Sequence, residues 1–120
     1  MISRLVKSAD WKSEKHVPVI SVPASLALGA PVEVEVAVGK EIPHPNTVEH
    51  HIAWIALYYV AEGSQLPVEL ARADFSAHGE VLAEPVLKAT VRLPKPGMLH
   101  AVAYCNLHGL WESEAAVAVS

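Results

Sequence analysis

The stretch Val32-Glu33-Val34-Glu35-Val36-Ala37-Val38 alternates apolar and acidic residues, and a period of two marks a strand with one dry face and one wet face. A helix through the same residues would scatter the valines around its circumference, so the segment is predicted to be a half-buried β-strand. Leu87, Ala89, Val91 and Leu93 alternate with Lys88, Thr90 and Arg92 in the same way. The run from His51 to Val60 is apolar on both faces and rich in Ile, Trp, Tyr and Val, which predicts a central strand. Val17 to Val22 is a further apolar run that Pro18 and Pro23 confine to an edge or irregular strand. Val68 to Phe75, Leu99 to Cys105 and Ala115 to Val119 also read as extended. Turns fall at Glu62-Gly63-Ser64, at Gly79 and at Pro94-Lys95-Pro96-Gly97. Five to seven short strands with no long helical period predict an all-β fold, an antiparallel β-sandwich.

The 120 residues suffice for a single domain, 1–120, with Met1 to Trp11 as a partly irregular N-terminal segment. An apolar fraction of 52% excludes a disordered chain. No stretch reaches the roughly 18 consecutive apolar residues that a membrane-crossing helix needs, so no membrane partner is expected. Met1 to Trp11 has no hydrophobic signal segment, and the one cysteine has no partner within the chain, which together point to the reducing cytoplasm. A net charge of -4, with no basic run and no glycine-rich phosphate loop, argues against nucleic acid.

The chemistry gathers on seven histidines and that single cysteine. Cys105 and His108 stand three residues apart, close enough for a thiolate and an imidazole in one tight turn to bind the same metal ion, with Gly109 free to take an awkward backbone angle. His44 lies between Pro43 and Pro45, in a stiff, extended loop suited to a ligand. His50 and His51 point to opposite faces of a strand, so only one of them can address a given metal, and periodicity does not choose between them. His16 stands in a cluster of three ionisable residues with Glu14 and Lys15. His78 and His100 have no partner at metal-ligand spacing, and His100 has the parity opposite to Cys105. Histidines with a thiolate suit a transition metal rather than calcium or magnesium, which want oxygen. A non-catalytic electron-transfer or metal-binding β-sandwich of the cupredoxin type would also use a late Cys-then-His loop. The sequence disfavours it, because no methionine follows His108.

Four segments carry a resemblance to a known family. Glu14-Lys15-His16-Val17-Pro18, Gly39-Lys40-Glu41-Ile42-Pro43-His44-Pro45-Asn46, Glu49-His50-His51-Ile52 and Cys105-Asn106-Leu107-His108-Gly109-Leu110-Trp111 look like the signatures of superoxide reductase, in family order. The likeness is to the one-iron form called neelaredoxin and runs from about Trp11 to Glu112. It implies an immunoglobulin-like antiparallel β-sandwich of about seven strands. It implies iron held by His16, His44, His50 and His108 in a plane, with Cys105 axial, and it selects His50 over His51. Glu14 is then a ligand of the ferric state alone, and Lys15 guides the substrate. The implied reaction reduces superoxide to hydrogen peroxide, with the iron re-reduced by rubredoxin or a similar donor. The implied assembly is a homotetramer. Backbone N–H groups of Asn106 to His108 are expected to hydrogen-bond the sulfur.

Overall fold

The computed structural model describes all residues, 1–120, and folds them as eight strands in two sheets. The strands are β1 (Pro18–Ser21), β2 (Ser25–Leu26), β3 (Val32–Val38), β4 (Ile52–Ala61), β5 (Val68–Asp74), β6 (Val86–Val91), β7 (Gly97–Cys105) and β8 (Gly109–Val119). One sheet has the order β1-β3-β6 and the other β2-β8-β7-β4-β5. The valine alternation of β3 works as predicted. Val34, Val36 and Val38 are buried, Glu33 is exposed, and the strand sits in the middle of its sheet. β1 is the edge strand that its prolines require, with Pro18 at the first position, where no ladder hydrogen bond is lost.

The sheets close on one core. Val34, Val36, Leu87 and Val91 of the smaller sheet meet Ile55, Leu57, Leu99, Ala101 and Ala103 of the larger. Burying each Ile, Leu or Val contributes roughly 1.5–3 kcal/mol, which makes these two inner faces the main source of stability. The hydroxyl of buried Tyr59 donates to the Lys95 carbonyl at 2.5 Å, and burial raises its pKa.

Two features depart from expectation. Ser25–Leu26 pairs in parallel with the end of β8, so the sandwich is not wholly antiparallel. A two-residue strand between Pro23 and Gly29 is too short to show a period. β8 starts at Gly109, well before Ala115, because Cys105 pairs with Gly109 and the hairpin turns through only Asn106, Leu107 and His108. Gly109 takes φ +81, the left-handed conformation that closes three-residue hairpins, as its place after the Cys-x-x-His pair suggested. The N-terminal segment adds one parallel bridge, Lys7 to Trp111, beside the same hairpin.

Candidate metal centre

The β4–β7 ladder ends at the pair Ile52 and Cys105, next to a bulge that shifts the register before Trp54. Ile52 and Ile55 have opposite parity, yet the extra residue lets both face the core. Cys105, of the same parity as Leu99, Ala101 and Ala103, points inward and is fully buried. Beyond this last pair the chain opens into the loop from Gly39 to His51 on one side and the Asn106–His108 turn on the other. Gly39 holds the base of that loop. Its φ is +80, and a Cβ there would lie 2.6 Å from the backbone nitrogen of His44.

Four imidazoles form a closed circuit at this end. His16 meets His44 with ring centres 4.9 Å apart, His44 meets His50 at 4.7 Å, His50 meets His108 at 4.9 Å, and His108 returns to His16 at 4.9 Å. Each contact is edge to face, and the diagonal from His16 to His50 is 6.3 Å, so the rings stand around a roughly square opening. Ligand-type atoms of His16, His44, His50 and Cys105 all lie within 4.8 Å of one another. His108 joins them through Nδ1, which lies 3.2 Å from His16 Nε2 and 3.7 Å from Cys105 Sγ.

Two of the four rings are held by their outer nitrogens, which fixes how His16 and His44 present themselves. His16 Nδ1 donates to Glu14 Oε1 at 2.5 Å, and the His16 backbone N–H donates to the same oxygen at 3.0 Å. The His16 ring also stacks on Trp111, with centres 4.8 Å apart, and Lys7 Nζ lies over the Trp111 indole at 5.6 Å. His44 Nδ1 donates to the Pro45 carbonyl at 2.7 Å. This leaves His44 Nε2 and His50 Nε2 buried with no protein partner. An unpaired buried polar group costs about 1–3 kcal/mol, and a metal bond removes that cost. Burial holds the His44 pKa down to about 4 and lowers that of His50, and the positive charge of Lys15 adds to both shifts. Both rings are therefore neutral near pH 7, with the lone pair that metal ligation needs. Glu14 is held below the usual carboxylate range, chiefly by its hydrogen bond to His16.

The sulfur accepts the His108 backbone N–H at 3.4 Å. The Asn106 N–H goes instead to the His51 carbonyl at 3.1 Å, so the expected set of amide donors to sulfur is smaller than the sequence suggested. The other histidines lie outside the circuit. His51 stacks flat on His78, centres 3.6 Å apart, and its Nδ1 donates to the Thr47 carbonyl. Both ring nitrogens of buried His78 are engaged, with Asn46 Oδ1 and the Phe75 carbonyl, each at 2.8 Å. His100 pairs with Glu114 at 3.7 Å. Sequence reasoning missed Trp111 as the wall behind His16 and Asn46 and Asn106 as struts, because none of these residues bears a metal-ligating group.

A β-sandwich that converges four imidazoles on one buried thiol defines a protein built to hold a single transition-metal ion. The family described as Desulfoferrodoxin has a model that matches residues 8–114. The chain belongs to the desulfoferrodoxin family. It is 52% identical to a superoxide reductase of Pyrococcus horikoshii over 114 residues, 95% of this chain and 96% of that one. It is 43% identical to the neelaredoxin of Megalodesulfovibrio gigas over 124 residues, 96% of this chain and 95% of that one. Among solved structures, a reduced superoxide reductase (neelaredoxin) from Archaeoglobus fulgidus superposes with a TM-score of 0.88 at 51% identity, covering 95% of this chain and 98% of that one.

Proposed function

We infer that the chain is a superoxide reductase, which adds one electron and two protons to superoxide and releases hydrogen peroxide. The observation that carries this reading is the pair of partnerless buried nitrogens, His44 Nε2 and His50 Nε2, converging with His16 on the Cys105 sulfur. The donor set fits iron: imidazole nitrogens with a cysteine sulfur make the mixed N/S shell that a redox-active transition metal takes. The relatives named superoxide reductase support the same choice. We assign His16 Nε2, His44 Nε2, His50 Nε2, His108 Nδ1 and Cys105 Sγ as the ligands. When bound there, iron supplies the single electron that the reaction consumes, and a rubredoxin or similar small carrier restores it.

The chain's own residues do the rest. Glu14 and the Pro45 carbonyl orient the rings of His16 and His44 through their Nδ1 atoms, so that Nε2 faces inward. The His108 N–H draws charge from the Cys105 sulfur, moderating its donation. Lys15 is near enough for its positive charge to help lower the pKa values of His44 and His50, and we assign it to the mouth of the site. Superoxide is an anion and the chain carries a net charge of -4, so local attraction has to overcome the overall field. We assign to Lys15 that attraction and the ordering of the water that delivers protons to the product. We assign to Glu14 the further role of holding a ferric ion, for which its carboxylate would have to give up the bond to His16 Nδ1.

A copper carrier of the two-histidine, one-cysteine kind would use fewer imidazoles than the four-ring circuit offers, so that reading loses its support. No helix is long and apolar enough to cross a membrane, and the free Cys105 fits the reducing cytoplasm that we assign. We also assign a homotetramer, for which Tyr58, Val60 and Val102 beside His100 on the outer sheet face offer apolar surface. Light scattering tests the assembly. Metal analysis of the purified protein, with its visible spectrum before and after oxidation, tests the function. Iron with a redox-dependent colour is expected; copper, or zinc without colour, would overturn the reading.

A further inference from the structure

Asn106 follows Cys105 directly, and three of its polar groups reach the two residues that flank His50. Its Oδ1 accepts the His51 N–H at 2.8 Å, its Nδ2 donates to the Glu49 carbonyl at 3.0 Å, and its backbone N–H donates to the His51 carbonyl at 3.1 Å. The regular ladder has already ended one residue earlier, at Ile52 and Cys105, and the bulge beside that pair weakens it as an anchor. The backbones make only one bond of the next rung, Asn106 N–H to the His51 carbonyl, and the Asn106 side chain completes it by accepting the His51 N–H.

We propose that Asn106 is a positioning residue that fixes the separation of the Cys105 thiolate and the His50 imidazole by clasping the peptide groups on both sides of His50. The inference rests on the metal-centre reading above. Its chemistry is specific to the amide, which offers an acceptor and a donor from one planar group. Aspartate keeps the acceptor for His51 and loses the donor for Glu49. Alanine loses both, leaving only the backbone bond. The two ligands come from segments that share no other side-chain bridge at this point of the ladder, so slack in the clasp becomes slack between sulfur and ring nitrogen.

The test compares wild type, Asn106→Ala and Asn106→Asp in ferrous-iron affinity, by competition with a chelator, and in the energy of the thiolate-to-ferric absorption band. Loss of an orienting partner behind a ligand typically lowers metal affinity about tenfold to hundredfold, and that loss is expected for Asn106→Ala, with a shifted band and with Asn106→Asp in between. A purely structural role would lower stability without moving the band. Affinity within about twofold of wild type with an unshifted band would overturn the proposal. If the alanine variant does not fold without iron, the aspartate variant decides by the same criteria. A wild type that binds no iron would contradict the metal-centre reading instead. The clasp would then be judged by hydrogen exchange at the His51 amide of the metal-free protein, where faster exchange in Asn106→Ala supports it and equal exchange refutes it.

Discussion

The imidazoles of His44 and His50 meet edge to face with centres 4.7 Å apart, and each keeps a buried Nε2 that no protein group reaches. Two such orphans side by side are costly unless an ion sits between them. Alanine at His16, His44, His50 or His108 is therefore expected to remove most of the bound iron. Alanine at His51 or His100, whose rings are engaged elsewhere, is expected to leave it in place. Iron counted per chain in each purified variant checks this. Full iron without His44 or His50 would refute the ligand set.

Acid should unfold the metal-free protein early. The folded His44 pKa, about 4, lies below the ordinary value of 6.5, so the unfolded chain binds the proton first. Stability is full above about pH 6.5 and falls as pH drops toward about 4. Glu14, also lowered, adds to the loss at still lower pH. Denaturant midpoints of metal-free protein at pH 7 and pH 5 should differ in that direction, and His44→Ala should flatten the slope. Equal midpoints in the wild type would contradict neutral burial of His44.

Lys15→Ala should keep its iron and react with superoxide on the order of tenfold more slowly, the size expected for one steering charge. The salt dependence should weaken too, since the Debye length is already down to about 10 Å at 0.1 M. Pulse radiolysis across ionic strength measures both, and equal rates with equal salt slopes would make Lys15 an ordinary solvated lysine.

Glu14→Ala removes a carboxylate that holds both the ring and the backbone N–H of His16. The oxidised spectrum is expected to change most, since Glu14 is assigned above as a ligand of the ferric state, while the reduced spectrum should shift only by the lost orientation of His16. An unchanged oxidised spectrum would confine Glu14 to orienting His16.

His78 is structural rather than chemical. His78→Ala would leave Asn46 Oδ1 and the Phe75 carbonyl without their partners and strip the stacked face of His51. A loss of about 1–3 kcal/mol is expected in chemical denaturation of the metal-free protein. No loss would show that water replaces the ring freely.

How far the sequence reveals this site depends on what each residue does there. The valines of β3 and the long apolar run of β4 announce themselves, because burial on one or both faces of a sheet imposes a pattern on the chain itself. Cys105, His108, Gly109 and the proline-flanked His44 are legible for a similar reason: their roles demand particular residue types at particular spacing. The choice of His50 over His51 was not legible from period alone. It depends on where the β4 ladder stops and on Asn106 taking hold of the His51 peptide, both of which are long-range facts. The same holds for Trp111 against His16, since nothing local to either residue tells of the other. The two-residue β2 left no pattern to read.

The most direct measurement is the product balance when iron-loaded, reduced protein meets a known amount of superoxide. A reductase consumes one electron from the protein for each superoxide, so one hydrogen peroxide should form per superoxide, one iron should be oxidised with each, and no dioxygen should appear. Half as much peroxide, accompanied by dioxygen and without lasting oxidation of the iron, would mean dismutation and would contradict the account.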